Sequence, residues 1–248
     1  MSSGPAVSSG AAPGAASGAA PHSQTLSRGI QMLELLAEHG EPRSIADLAL
    51  ALGVHRSIAY RILRTLEDHR LVIRDSAGLV QLGPRMAALA RGVFHDLQSA
   101  ALPELTVVAN ELAMTAFLVV LDHDECVTLV SVEPRHAVAT VAQHPGTRHP
   151  LSAGAPGIAI QSRLTVQQWA ALGPDIQMRD EALEARQFGY AVSHDEVIPG
   201  LRSVAAPLVI AGQAPAAAAI VYVATDRDAD ELGARLMRAA TTIAESMR

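Results

Sequence analysis

The segment Val54–Arg70, "VHRSIAYRILRTLEDHR", gathers Arg56, Arg61 and Arg64 around Ser57 and Tyr60. A guanidinium is a rigid fork of N–H donors that pairs two at a time with phosphate oxygens or a guanine edge, and small hydroxyls reach the same targets. Advancing about 100° per residue along a helix puts Ala59, Ile62, Leu63 and Leu66 on one arc and Ser57, Tyr60, Arg61 and Arg64 on the opposite one. Alone, a helix of this kind is more often a solvated face than an anion reader. Tyr60 reads equally as a packing residue or a contact, and Arg70, past the end of the face, as surface charge.

Other residue types invite chemistry and do not assemble it. Ser152, in "HPLSAGAPG", sits in a glycine-rich turn without the G-x-S-x-G elbow of a nucleophilic serine, so it reads as a turn or pocket hydroxyl. "DHDECV" has metal-binding residue types, but they are adjacent and lack the i, i+4 or C-x-x-C spacing that converges on one ion, so it reads as a polar hairpin turn and no metal is expected. His136, His144 and His149, with Arg135 and Arg148, read first as a solvated loop and second as an anion site or a subunit contact. Cys126, the single cysteine, opens a strand and reads as a small buried hydrophobe. No phosphate-cradling G-x-x-x-x-G-K-[ST] loop is present, and no cofactor is expected.

The elements around the arginine helix change its meaning. "TLSRGIQMLELLAEHG" places Ile30, Leu33, Leu36 and Ala37 at helical spacing and stops at Gly40. "EPRSIADLALALG" offers Ser44 as N-cap with Asp47 three residues on, buries Ile45, Leu48, Ala49 and Leu52, and turns at Gly53. After the arginine helix, "LVIRD" and "LVQLG" around "SAG" predict a small hairpin. Helix, capped helix, basic amphipathic helix and hairpin follow the order of a winged helix-turn-helix. In that setting Ser57, Tyr60, Arg61 and Arg64 would face the DNA major groove, Arg56 and Ser44 would hold phosphates, and Arg74 would act from the wing.

Farther along, "GPRMAALARGVFHDLQSAALPELTVVANELA" predicts a long helical stretch interrupted at Pro103. Strand-like runs follow ("AFLVVLD", "CVTLVSVE", "AVATVA", "SVAAPLVI", "AAAAIVYVA"), with helical runs between them and at the end. That mixture predicts an α+β domain with one antiparallel sheet.

Several segments together resemble the IclR family of bacterial transcriptional regulators. The first three elements and hairpin resemble its N-terminal domain. "FGYAVSHDEVIPGLRSVAAPL" is similar to its effector-domain signature of Gly-Tyr-Ala, an acidic pair, Gly, Arg and Ala-Ala-Pro, and "HPLSAGAPGIAI" to its Pro-Leu-His-Ala-Thr-Ala-Leu-Gly-Lys segment. The resemblance, over about residues 25 to 245, implies a winged helix-turn-helix joined by a linker helix to an α/β GAF/PAS-like effector-binding domain. It also implies homodimers, often paired into homotetramers, on a palindromic operator of double-stranded DNA, with a small-molecule effector. By that likeness the ligand would lie among Phe117, Leu129, Ser152, Gly154, Ser193, Asp195, Ser203 and Val221. The departures make this pocket less polar: Ser152 stands for His, Gly154 for Thr, Ile158 for Lys, and Val221 and Val223 for small hydroxyl residues. An apolar or aromatic metabolite follows as the expected effector.

Charge divides the same way. The net charge is −6, yet residues 24–92 carry nine Arg against seven acids and residues 93–248 ten Arg against eighteen. A mildly basic segment joined to an acidic one suggests two domains with different partners. The expected division is a tail of Ala, Gly, Ser and Pro over 1–23, the DNA-binding domain over 24–84, a linker helix over 85–99 and the effector and oligomerisation domain over 100–248. No apolar run approaches the roughly 18 residues of a membrane span, no basic-then-apolar leader is seen, and the lone cysteine suits a reducing cytoplasm. The expectation is therefore a cytoplasmic, ligand-responsive regulator, repressor more than activator, and not an enzyme. Two rivals stand beside it: an enzyme acting on a small organic acid or ester behind a docking module, and an architectural DNA binder without a ligand.

Overall fold

The computed structural model describes residues 23–136 and 141–248, so the tail expected over residues 1–22 and most of the strand expected at "AVATVA" lie outside the described residues. The chain forms two compact units that divide between Gly92 and Val93.

In the first unit, α1 (Gln24–His39) begins under a Ser23 cap and ends at Gly40, whose φ of 65° is left-handed. Its buried side chains are Met32 and Leu36, while Ile30 is 48% exposed and Ala37 is also exposed, so the buried stripe is rotated from the expected one. Gly29 is buried on the inner side of the helix, where a Cβ would stand at an ordinary contact distance of 3.7 Å from Ile62 Cγ2. α2 (Ile45–Ala51) is capped by Ser44, whose Oγ accepts from the Asp47 N–H at 3.2 Å and donates to Asp47 Oδ2 at 2.7 Å. A turn through Gly53, at φ 61°, leads to α3 (Arg56–Asp68). β1 (Val72–Arg74) and β2 (Val80–Leu82) form the antiparallel hairpin, and Arg43 pairs its backbone with Val80 along β2. Leu48, Ala59, Ile62, Leu63, Val72 and Val80 meet Met32 and Leu36 in one core. Each large aliphatic side chain buried there stabilises the unit by about 1.5–3 kcal/mol before entropy is counted.

α4 (Arg85–Ala90) buries no side chain and closes this unit. The expected break at Pro103 does not occur. The chain breaks earlier, between α4 and α5 (His95–Leu112), where Phe94 takes a left-handed φ of 47°, and Pro103 lies inside α5. An interior proline forfeits one hydrogen bond and costs about 3 kcal/mol. Burial of Leu97, Ala101, Leu105, Val108 and Leu112 along one side of α5 offsets that loss.

The second unit is built on six antiparallel strands in the order β5-β4-β3-β8-β7-β6. They are β3 (Thr115–Asp122), β4 (Glu125–Val132), β5 (Arg148–Pro150), β6 (Ala191–His194), β7 (Arg202–Leu208) and β8 (Ala216–Tyr222). α5 and α9 (Ala229–Ser246) cover one face; α6 (Gly154–Gln161) and α8 (Asp180–Phe188) cover the other, and α7 (Val166–Leu172) contributes the partly buried Trp169 and Leu172 to that side. This is the α+β, GAF/PAS-like plan expected of the chain. The middle strands are buried on both sides, and in β8 they are mostly alanine. Alanine is a weak strand former, but its size lets helices pack close above and below, with Ala218 and Ile220 toward α5 and α9 and Ala217 and Ala219 toward α6. Arg235 on α9 reaches Glu104 (2.8 Å) and Glu111 (2.7 Å) on α5 and ties that layer together.

Candidate functional site

Two sites form, one in each unit. On α3 the buried residues are Ala59, Ile62, Leu63 and Leu66, and Arg56, Ser57, Tyr60, Arg61 and Arg64 are all exposed. The helix starts on His55, whose Nδ1 accepts from the Ser57 N–H at 3.3 Å and lies 2.9 Å from Ser57 Oγ. This fixes Ser57 in the first turn, at the end that enters a groove. Arg74 is turned back onto α3: its Nε donates to Glu67 Oε1 at 2.6 Å, and its guanidinium lies 5.5 Å from the centre of the Tyr60 ring. Tyr60 and Arg74 thus support each other, and Glu67 was not among the expected residues. The Ser44 hydroxyl spends its proton on Asp47, leaving one lone pair for an outside donor.

In the second unit a cavity lies between the start of α6 and the neighbouring ends of β3, β7 and β8, with about 450 Å3 of space including its open mouth. Phe117, Gly154, Ser193, Ser203 and Val221 line it. Leu129, Ser152 and Asp195 do not. A bulge between Leu118 and Val119 in the β3–β4 pairing sends Leu129 to the α5–α9 face and sets Ser131 opposite Phe117. Ser152 turns outward, and its carbonyl accepts from Arg179 Nη1 at 3.2 Å. Asp195, at φ 60°, accepts from the Gly200 N–H and so staples the loop that follows β6.

That loop carries residues the sequence did not single out. Val197, Ile198 and Leu201 add apolar wall, and Glu196 reaches the start of α6. Glu196 Oε2 accepts from the Gly154 N–H at 2.8 Å, and Ser193 Oγ accepts from the Ala155 N–H at 2.8 Å. Arg179 holds Glu196 through both of its terminal nitrogens and also binds Glu181 at 2.6 Å. The backbone of Arg179 is itself fixed, because buried Gln161 accepts its N–H at 2.9 Å while donating to the Leu151 carbonyl at 2.8 Å. Gly154 is needed twice over: its φ is 79°, and a Cβ there would meet Val197 Cγ2 at 2.9 Å. His149 is no part of a solvated loop. It is 6% exposed, lines the cavity, and burial holds its pKa below the ordinary 6.5 against the pull of nearby backbone carbonyls. The acids of "DHDECV" form the tight β3–β4 turn at His123, and burial, with Glu125 second, pushes the Cys126 thiol up to about 12.

A winged helix-turn-helix with a basic outer face, carried in one chain with an α+β unit that holds an open cavity, is the plan of a DNA-binding regulator. Residues 25–76 match the family model of the IclR helix-turn-helix domain, and residues 93–247 that of the bacterial transcriptional regulator IclR C-terminal domain. The chain belongs to the IclR family of transcriptional regulators. It is 29% identical over 199 residues to the HTH-type transcriptional regulator Rv1719 of Mycobacterium tuberculosis, covering 75% of this chain and 76% of that protein. It is 24% identical over 243 residues to the transcriptional repressor IclR of Escherichia coli, covering 89% and 88%. Among solved structures, an IclR homolog complexed with 4-hydroxybenzoate from Microbacterium hydrocarbonoxydans superposes with a TM-score of 0.78 over 91% of this chain and 99% of that one; at 21% identity the likeness is one of fold. Among the described residues, no helix is long and apolar enough to cross a membrane.

Proposed function

We propose that this chain is a cytoplasmic repressor that binds a pseudo-palindromic operator as a homodimer, or as a pair of dimers, and is released by a small organic effector. The carrying observation is the exposed row Ser57, Tyr60, Arg61 and Arg64 on α3, on the side away from its buried stripe, with exposed Arg56 at its first turn. Arg61 and Arg64 read base edges, Arg56 holds phosphate, and Arg74 stiffens Tyr60 from the wing, while the Ser44 hydroxyl, its proton given to Asp47, caps α2. The effector occupies the cavity bounded by Phe117, Gly154, Ser193, Ser203 and Val221. It acts by binding one of two arrangements of the dimer better than the other. The names of the relatives support this reading: one is called a repressor, and another holds a small aromatic acid.

The test is a titration of the protein onto DNA from its own upstream region, beside unrelated DNA and beside Arg61→Ala. Specific binding that weakens by about 1–3 kcal/mol in the variant is expected. Equal affinity for both DNAs would favour an architectural binder. Absence of binding by the folded dimer would remove α3 as a reader.

A further inference from the structure

We infer that His55 determines which base edge Ser57 reads. By taking the proton of the Ser57 hydroxyl it leaves that side chain a hydrogen-bond acceptor alone, matched to the amino group of adenine or cytosine. The inference rests on the reading of α3 as the helix that enters the DNA groove and adds a specificity-setting pair to it.

The geometry of the two residues fixes the direction of the hydrogen bonds between them. Helix α3 begins on His55, a residue type outside the usual caps Ser, Thr, Asp and Asn. Its Nδ1 accepts from the Ser57 N–H at 3.3 Å. A backbone amide only donates, so Nδ1 carries no proton and the proton of the neutral ring is on Nε2. Ser57 Oγ lies 2.9 Å from the same Nδ1, and with no proton on that nitrogen the hydroxyl is the donor of this second bond. Turned the other way, an Nδ1–H would confront the Ser57 N–H, and α3 would lose its cap. The Ser57 proton therefore points back at the start of the helix.

What remains on Ser57 Oγ is lone pairs. A serine hydroxyl ordinarily turns to donate or to accept, and so tells base edges apart poorly. Here the ring makes the choice. Ser57 is exposed on the row with Tyr60, Arg61 and Arg64, one turn ahead of Arg61. In the major groove adenine N6 and cytosine N4 are the donors, whereas guanine O6 and thymine O4 only accept. An amino group meets the lone pairs of Ser57, and a keto oxygen is repelled by them. Arg61 and Arg64 only donate, so α3 presents an acceptor at its first turn and donors after it. His55 acts through Ser57 and is a positioning residue.

In the experiment the full-length protein selects duplexes from a randomised pool. Each adenine and cytosine of the selected site is then exchanged singly for its keto counterpart, inosine paired with cytosine or uracil paired with adenine. At one such position in each half-site the exchange should weaken wild-type binding about tenfold. In Ser57→Ala the penalty there should be about threefold smaller or less, because the lone pairs are gone. His55→Gly and His55→Ala cannot accept the hydroxyl proton, which is then free to turn to the keto oxygen, and the penalty should shrink by about threefold in them too. Glycine is a tolerated cap, so His55→Gly keeps most of the helix start. His55→Asn, whose Oδ1 accepts as Nδ1 does, should restore the preference. A merely structural loss would lower affinity for the amino and keto duplexes alike. Circular dichroism and melting curves establish that each variant is folded. A penalty that stays whole in a folded Gly or Ala variant overturns the inference, as does one that His55→Asn fails to restore. Specific binding with no position whose penalty depends on Ser57 also overturns it and leaves α3 as the reader. If the wild type selects no duplex, the reading of α3 falls and the inference with it.

Discussion

His149 is an ionisable side chain carried into an apolar wall, and the cost of charging it there links folding to pH. Burial holds its folded-state pKa below the ordinary 6.5, so between the two values the unfolded chain binds more protons than the folded one. Stability therefore rises with pH across that window and is lost as pH falls from about 6.5, until the folded ring also protonates. In urea unfolding, the advantage of the wild type over His149→Gln should shrink as the pH drops from about 7.5 to about 5.5; a gap independent of pH would mean that the ring is equally solvated in both states. Arg179 is the opposite case, a guanidinium whose hydrogen bonds to Glu181 and Glu196 hold its pKa above the ordinary value. Glu196 was visible in the "HDEVIPG" segment, and Asp195 beside it was the residue singled out. Only the turn after β6 shows that Asp195 staples the loop while Glu196 faces α6. Arg179 carried no signal, since it reaches Glu196 from the segment ahead of α8.

At the level of elements, capping and pairing decide which faces are presented. Ser44 satisfies an orphan amide at the start of α2, the helix that supports α3. Ser44→Ala should therefore lower the melting free energy of the first unit by about 1 kcal/mol. Ser44→Thr should keep most of it; equal loss in both would assign the effect to packing. The helix starts, the Gly53 turn and the hairpin were legible because each has a local chemical signature. The orientation of α1 was not, since Gly29 lies buried while Ile30 is exposed, and the apolar period alone does not record that. Pro103 misled for a related reason: a proline reads as a break, yet the buried side of α5 holds the helix through it. The β3–β4 bulge is the sharpest instance. A one-residue slip exchanges the faces of a strand, and here it carries Leu129 away from the cavity and brings Ser131 across from Phe117.

For the whole molecule, the contrast between a basic first unit and an acidic second one makes binding to DNA a matter of a few well-placed arginines. Each phosphate contact removed lowers the slope of log affinity against log salt by about 0.9. On a two-fold operator Arg56→Ala should thus flatten that slope by about two, with little change in sequence preference, whereas Arg61→Ala should relax the preference; equal effects of both on preference would reassign Arg56 to base reading. The sequence by itself determined the order of elements, the amphipathic split of α3 and the α+β character of the second unit, because caps, glycine turns and hydrophobic period are written over a few neighbouring residues. Tertiary structure alone decided which residues meet at the cavity. Phe117, Gly154, Glu196 and Val221 come from separate segments of the chain, and their convergence depends on strand order, one bulge and one stapled turn. Those are set by the balance of long-range packing, to which a local stretch of sequence is blind.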